Sequence, residues 1–165
     1  MSTSNQTPVI NKQNGAARNI LASGIIAGLL DATAGVIVYF IFKGLNPKQV
    51  LQFIASGFFG NEAFTGGLLM AAVGLLLHFA IAFAFAAAFF MVYPNIKLLH
   101  KNIWVTGLVY GLFIWLFMNL LVLPNSNIAK SPKDIVSFIE AVWHMALVGL
   151  PIALLTAKYF NSKSK

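Results

Sequence analysis

The sequence predicts an all-α membrane protein in which four transmembrane helices form a bundle, with a short interfacial or re-entrant helix between the first and second. Of the 165 residues, 59% are hydrophobic and only 9% are charged, and the mean hydropathy is +0.81. Soluble domains carry roughly 25% charged residues, so a water-soluble enzyme, a disordered protein and a coiled coil are excluded. Unpaired backbone groups are not tolerated in lipid and no barrel-type alternation is present, so the apolar runs are expected to be helices.

Four apolar runs are each long enough to cross a bilayer core of about 30 Å, which takes about 20 helical residues. They form a transmembrane domain over residues 19–160, with spans at about 20–42, 67–93, 103–123 and 137–160 and the extra helix at about 47–59. Residues 1–18 are expected to form a flexible cytoplasmic N-terminus, and residues 161–165 a cytoplasmic tail. The first run is too long for the roughly 7–15 apolar residues of a signal peptide, so we expect it to remain as a span.

Helix-start signals occur in both connections on the predicted outer side. Asn46-Pro47-Lys48-Gln49 combines an N-cap asparagine, a proline suited to the first helical position and a glutamine that can close a capping box. Ser131-Pro132-Lys133-Asp134 repeats this pattern. Two interpretations stay open: a duplicated helix pair related by a pseudo-twofold axis, or two helices that share good capping chemistry.

The positive residues predict the orientation. The two chain ends and the loop between the second and third runs carry seven of them, namely Lys12, Arg18, Lys97, Lys101, Lys158, Lys163 and Lys165. The other two connections carry four, which are Lys43, Lys48, Lys130 and Lys133. Because Lys and Arg are enriched in cytoplasmic loops, both termini are expected in the cytoplasm.

Five polar side chains interrupt the apolar runs, namely Asp31, His78, Asn119, Glu140 and His144. Asp31 and His78 fall on stripes of small residues, which are expected to face neighbouring helices. Glu140 and His144 are four residues apart and therefore stack on one helix face. A charge at the bilayer centre costs roughly 2.5–3.5 kcal/mol on insertion scales, so these groups are expected to pair or to stay neutral.

These positions predict a buried polar cluster in the outer half of the bundle that binds a proton or a small ligand. A more ordinary interpretation stays open for each residue. Asp31 can be a neutral acid that fixes helix packing, and His78 a hydrogen-bonded core histidine. Glu140 can be solvated at the membrane–water interface, and Asn119 can act only by forming a hydrogen bond between helices.

No cofactor is predicted. The absence of cysteine excludes disulfides and thiolate metal sites. His78, Glu140 and His144 are weak metal candidates, because a ferritin-like site would repeat Glu-x-x-His on two helices and this sequence does not. No nucleophile–base motif, phosphate loop or cofactor fingerprint is present, so an enzyme is not expected, and no basic module indicates nucleic acid.

Several motifs resemble the YagU-like family of small bacterial inner-membrane proteins. They are Gly24-Ile-Ile-Ala-Gly28, His78, the run from Tyr93 to Lys97, Gly107, Gly111, Pro124, Glu140 and His144. The resemblance implies an inner-membrane location, a loose association with acid tolerance, and His78, Glu140 and His144 as a shared site. The family has no established reaction, and Asp31 has no counterpart in its pattern.

The sequence favours proton- or small-solute-coupled transport or a role in acid tolerance, because membrane-embedded carboxylates and imidazoles are the usual parts of proton relays. One alternative is haem or metal binding, with His78 and His144 as facing ligands. Another is a structural partner subunit, which predicts a fully paired polar cluster without a cavity. The expected partners are the lipid bilayer, a proton or small solute, and a second copy of the chain, since four spans make a small pathway.

Overall fold

The protein is a bundle of four long helices with a fifth packed between the first two. The computed structural model describes residues 7–128 and 134–163, and all regular structure within them is helical. Four helical stretches, the first to fourth spans, are long and apolar enough to cross a membrane: Gly15–Lys43, Gly67–Asn95, Ile103–Asn125 and Ile135–Ser162. The predicted fold class, an all-α membrane bundle, is confirmed.

The α-helices in chain order are α1 Thr7–Lys43, α2 Pro47–Phe59, α3 Glu62–Thr65, α4 Gly67–Val92, α5 Ile103–Phe117, α6 Ile135–Trp143 and α7 Leu150–Lys163. Helix α1 begins at Thr7, so the backbone of residues 7–18 is helical, although the sequence assigned this stretch to a flexible terminus. Residues 1–6, 129–133 and 164–165 lie outside the described part of the chain. The end of the bundle that carries α2 and the start of α6 is called the α2 end below.

The predicted cap of α2 is confirmed. The Asn46 side chain accepts from the Gln49 backbone amide and the Gln49 side chain accepts from the Asn46 amide, both at 3.0 Å. The second helix-start signal is different, because Asp134 itself is the N-cap of α6 and accepts from the amides of Val136 and Ser137. Ser131, Pro132 and Lys133 lie outside the described residues. The duplication stays a prediction.

Helix α2 packs directly against the second span. An added Cβ on Gly74 of α4 would overlap the carbonyl oxygen of Leu51, so the two backbones touch. Gln52 is 1% exposed, and its amide donates to the carbonyl oxygens of Gly67 at 3.0 Å and Phe64 at 3.4 Å. These two hydrogen bonds hold α2 against α3 and the start of the second span.

The third and fourth spans also meet through glycines. A Cβ on Gly111 would overlap the carbonyl oxygen of His144 and lie 2.5 Å from Cα of Met145. Gly149 lies against the backbone of Gly107 and Gly111 in the same way. Small residues therefore bring the His144 turn of the fourth span directly onto α5, as expected for helix packing without a hydrophobic driving force.

Two spans contain a widened helical turn just before or around a proline. The third span contains a short π-helix at Met118–Val122, ahead of Pro124. The fourth span contains another at His144–Gly149, ahead of Pro151. Proline has no backbone N–H to donate, and the widened turn accommodates this local loss of the regular helical pattern. His144 and Asn119 both lie in such turns.

Candidate functional site

Three spans bring Asp31, His78 and His144 together at one place. Asp31 Oδ2 is 4.0 Å from Nδ1 of His78, and Asp31 Oδ1 is 3.7 Å from Nε2 of His144. The indole Nε1 of Trp143 donates to Asp31 Oδ1 at 2.7 Å. Asp31, His78, Trp143 and His144 are called the acid–imidazole site.

Backbone carbonyls determine which nitrogen of each histidine carries a proton. Nε2 of His78 lies 2.8 Å from the Gly28 carbonyl oxygen, and Nδ1 of His144 lies 2.7 Å from the Glu140 carbonyl oxygen. A carbonyl oxygen only accepts, so each of these nitrogens is the donor. In a neutral ring the other nitrogen then holds a lone pair, and in both histidines that nitrogen faces Asp31.

This arrangement creates a place for an additional proton. The Trp143 indole donates to Asp31, but no histidine nitrogen that faces the carboxylate has a proton to donate to it when both rings are neutral. One proton on either ring, or on Asp31, turns an acceptor into a donor. A shift of about 1 Å, or one bridging water, would then complete a hydrogen bond.

The predicted cluster is only partly buried. The side chains of Asp31, His78 and His144 are 22%, 12% and 16% exposed, because they line a cavity. The prediction of a buried polar cluster is therefore corrected to a partly exposed group of three side chains on a cavity wall.

Glu140 and Asn119 have other partners. Glu140 Oε1 accepts a 2.5 Å hydrogen bond from the hydroxyl of Tyr39. The Asn119 amide donates at 3.0 Å to the Trp115 carbonyl oxygen of its own helix, although Asn119 also lines the cavity. Of the five predicted site residues, three come together and the other two lie elsewhere on the same cavity wall.

A line of polar contacts connects the first and fourth spans and is called the polar seam. It consists of three contacts between α1 and the chain from the start of α6 to the His144 turn. Asp31 faces His144, Tyr39 donates to Glu140, and Lys43 pairs with Asp134. The α1 members keep the four-residue helical spacing, with Gly35 in the remaining position and no atom within 4 Å of its added Cβ. The seam runs from the acid–imidazole site to the α2 end.

The cavity beside the polar seam has a volume of about 730 Å³. It extends from the acid–imidazole site to Lys43 and Asp134 at the α2 end, and most of its wall is apolar. Val50, Leu51, Phe53 and Ile54 of α2 form part of that wall. Ligand sites in proteins typically measure about 300–1,000 Å³ and combine an apolar wall with a few polar groups.

Sequence reasoning missed Tyr39, Lys43 and Trp143. The spacing of Tyr39 and Lys43 from Asp31 was a usable signal, because both continue its helix face towards the α2 end. Trp143 had no comparable signal, since adjacent residues on a helix point in different directions. Only the packing of the fourth span against the first brings its indole to Asp31.

The metal and haem alternatives gain no support. Within residues 7–128 and 134–163, no group of three or more His, Cys, Asp and Glu side chains could hold a metal ion. His78 and His144 both face Asp31, so its carboxylate occupies the position between the rings where an iron would have to lie.

The ion pair at the α2 end of the cavity is expected to depend on pH. Lys43 Nζ donates to Asp134, and this contact holds the pKa of the exposed Asp134 carboxyl below its usual value. A lowered pKa adds stability above about pH 4 that is lost as the pH falls through the lowered value. Asparagine is also a good N-cap residue, so Asp134→Asn removes the ion pair and leaves the helix cap in place. The loss of the ion pair should lower the midpoint of thermal unfolding by about 1–3 °C at neutral pH. In strong acid the difference should vanish.

Glu62→Gln is the control for this measurement, since Glu62 is another exposed carboxylate at the α2 end, in α3. An Asp134→Asn difference that persists unchanged in strong acid contradicts the assigned ion pair.

No family model matches the chain, and no curated protein or solved structure matches it either. The resemblance to the YagU-like family therefore stays a proposal. The arguments about the site rest on the chain's own residues.

Proposed function

We propose that this chain is a bacterial inner-membrane protein that binds an exchangeable proton at the acid–imidazole site and couples it to the movement of a small solute. The four apolar spans make it a multi-pass membrane protein. The observation that carries the proposal is the pair of histidine nitrogens aimed at Asp31, each in a ring whose other nitrogen donates to a backbone carbonyl.

Histidine is the side chain that most often accepts and releases protons in proteins, which is why two imidazoles facing one carboxyl group support proton exchange at this site. A carboxylate in a membrane span is costly when it is charged and unpaired. A proton at the site removes that cost, and the carboxylate favours a proton on its neighbours. Protonation and the packing of the first, second and fourth spans are therefore coupled.

The predicted orientation supports a role in acid tolerance. If both termini are cytoplasmic, the α2 end faces the outside, and the cavity extends from that end to Asp31. The YagU-like resemblance, with its association with acid tolerance, belongs to the same proposal. The expected homodimer also stays a prediction.

The alternative of a structural partner subunit is less favoured. It requires polar residues that are fully paired and no cavity beside them. In the described part of the chain, Asp31 is partly exposed to a cavity of about 730 Å³.

Trp143 provides a direct test of proton binding. Its indole donates to Asp31, and its ring stacks on His144 with centroids 5.7 Å apart and an interplanar angle of 18°. An imidazolium quenches a stacked indole. The emission of Trp143, taken as wild type minus Trp143→Phe, should therefore fall about twofold or more between about pH 8 and pH 5.

Asp31→Asn preserves the side-chain size and an oxygen acceptor for Trp143 but removes the negative charge. We expect it to weaken the fall of Trp143 emission on acidification, since the imidazolium loses its counter-charge. It should also reduce proton uptake into pyranine-loaded liposomes by roughly tenfold. Glu62→Gln should behave as wild type in both assays. Identical pH curves for wild type and a folded Asp31→Asn variant would overturn the proposal.

A further inference from the structure

The titratable side chains of the cavity are mostly acidic. Its wall carries the carboxyl groups of Asp31, Glu140 and Asp134, and the one lysine among its described residues, Lys43, pairs with Asp134. The hydroxyl of Tyr39 donates a hydrogen bond to Glu140 and brings no positive charge. When Asp31 and Glu140 are ionised, the cavity therefore has an excess of negative charge, which only protonated histidines offset.

The rest of the wall favours an apolar body with a delocalised charge. Tyr39, Phe53, Phe85 and Trp143 contribute aromatic rings to the same cavity. Aromatic faces attract cations, and more strongly when the site excludes water. Apolar side chains cannot replace the hydration shell of a small inorganic cation, and the described residues offer no metal site. An anion would meet two carboxylates.

We propose that this cavity binds a monovalent organic cation with an apolar body, such as a lipophilic ammonium or phosphonium ion. The proposal deepens the proposed function, on which it rests, because it names the solute class that exchanges with the proton. When the cation enters beside Asp31, one proton leaves the acid–imidazole site, so the net charge of the cavity is conserved. The proton and the cation then compete for one carboxylate.

Tetraphenylphosphonium is a suitable probe, and tetraphenylborate is its matched control with nearly the same shape but opposite charge. We expect tetraphenylphosphonium to bind the purified full-length protein in detergent, measured by isothermal titration calorimetry, and tetraphenylborate to bind at least about tenfold more weakly. In weakly buffered solution, binding should release protons. Because linkage is reciprocal, acidification by one pH unit should weaken the binding of tetraphenylphosphonium by up to roughly tenfold.

Two variants locate the charge that attracts the cation. Asp31→Asn should weaken tetraphenylphosphonium binding by about tenfold or more and abolish proton release. Glu140→Gln should weaken binding by a few-fold and leave proton release in place, and it provides an independent arm if Asp31→Asn fails to fold. Glu62→Gln should bind as wild type.

Two results would overturn this inference. One is equal binding of tetraphenylphosphonium and tetraphenylborate. The other is unchanged tetraphenylphosphonium binding in a folded Asp31→Asn,Glu140→Gln double variant. If the probe does not bind but the Trp143 emission still titrates through Asp31, the ligand class is wrong and the proton site stands. If neither response occurs, the proposed function fails as well.

Discussion

Replacing Gly111 by alanine is expected to destabilise the bundle by about 3 kcal/mol, near the upper end of the usual cost of overpacking. The new Cβ would overlap the carbonyl oxygen of His144 and lie 2.5 Å from Cα of Met145. Both are backbone atoms, so no side-chain rotation relieves the clash. The third and fourth spans must move apart, and His144 moves with them.

Gly35→Ala is the matched control, because it makes the same substitution in another span. An added Cβ at Gly35 meets no atom within 4 Å, and alanine favours a helix over glycine by about 1 kcal/mol. The thermal midpoint in detergent should fall by roughly 5–10 °C for Gly111→Ala and stay level or rise for Gly35→Ala. Equal midpoints would contradict the close approach of α5 to the His144 turn.

Replacing Gln52 by methionine is expected to loosen α2 from the second span. Methionine matches the length of glutamine but cannot donate, so the two hydrogen bonds from the buried Gln52 amide to the carbonyl oxygens of Gly67 and Phe64 are lost. A hydrogen bond contributes about 0.5–1.5 kcal/mol net, so the loss of two costs about 1–3 kcal/mol. Amide hydrogen exchange in α2 should accelerate by about tenfold or more, since 1.4 kcal/mol corresponds to a factor of ten.

Gln49→Met supplies the comparison, since it makes the same substitution three residues earlier and removes only the capping contact with the Asn46 amide. Its effect on exchange should be confined to the first turn of α2. Because α2 forms part of the cavity wall, Gln52→Met should also weaken binding of the organic cation, whereas Gln49→Met should not. Equal exchange rates in the two variants would show that Gln52 does not anchor α2.

The spans were predictable because the bilayer acts on every residue in the same way. A run of about 20 apolar residues satisfies the membrane wherever its neighbours lie, so length and composition suffice. The cap of α2 was predictable for a similar reason: Asn46, Pro47 and Gln49 act on backbone groups within a few residues. The start of α6 after Asp134 was less clear, because Ser131 and Asp134, three positions apart, can both cap a helix.

The candidate site was only partly predictable. Helical periodicity placed Asp31 and His78 on small-residue stripes, and those stripes do pack: added Cβ atoms on Gly24 and Gly28 would meet Phe83 and Phe79 of α4. Periodicity also placed Glu140 and His144 on one face, which suggested a common partner. In the structure they meet different residues of α1, two helical turns apart: Tyr39 and Asp31.

Four spans, a capped fifth helix and a small set of polar residues in the apolar runs could be predicted from the amino-acid order, because these features depend on local chemistry and on the bilayer. The contacts of Trp143 with Asp31 and of Tyr39 with Glu140, and the cavity beside them, could be seen only in the folded bundle. Those outcomes depend on the rotation and offset of whole helices. A stripe of glycines permits close approach, but the fit between two helix surfaces decides which residues end up opposite one another.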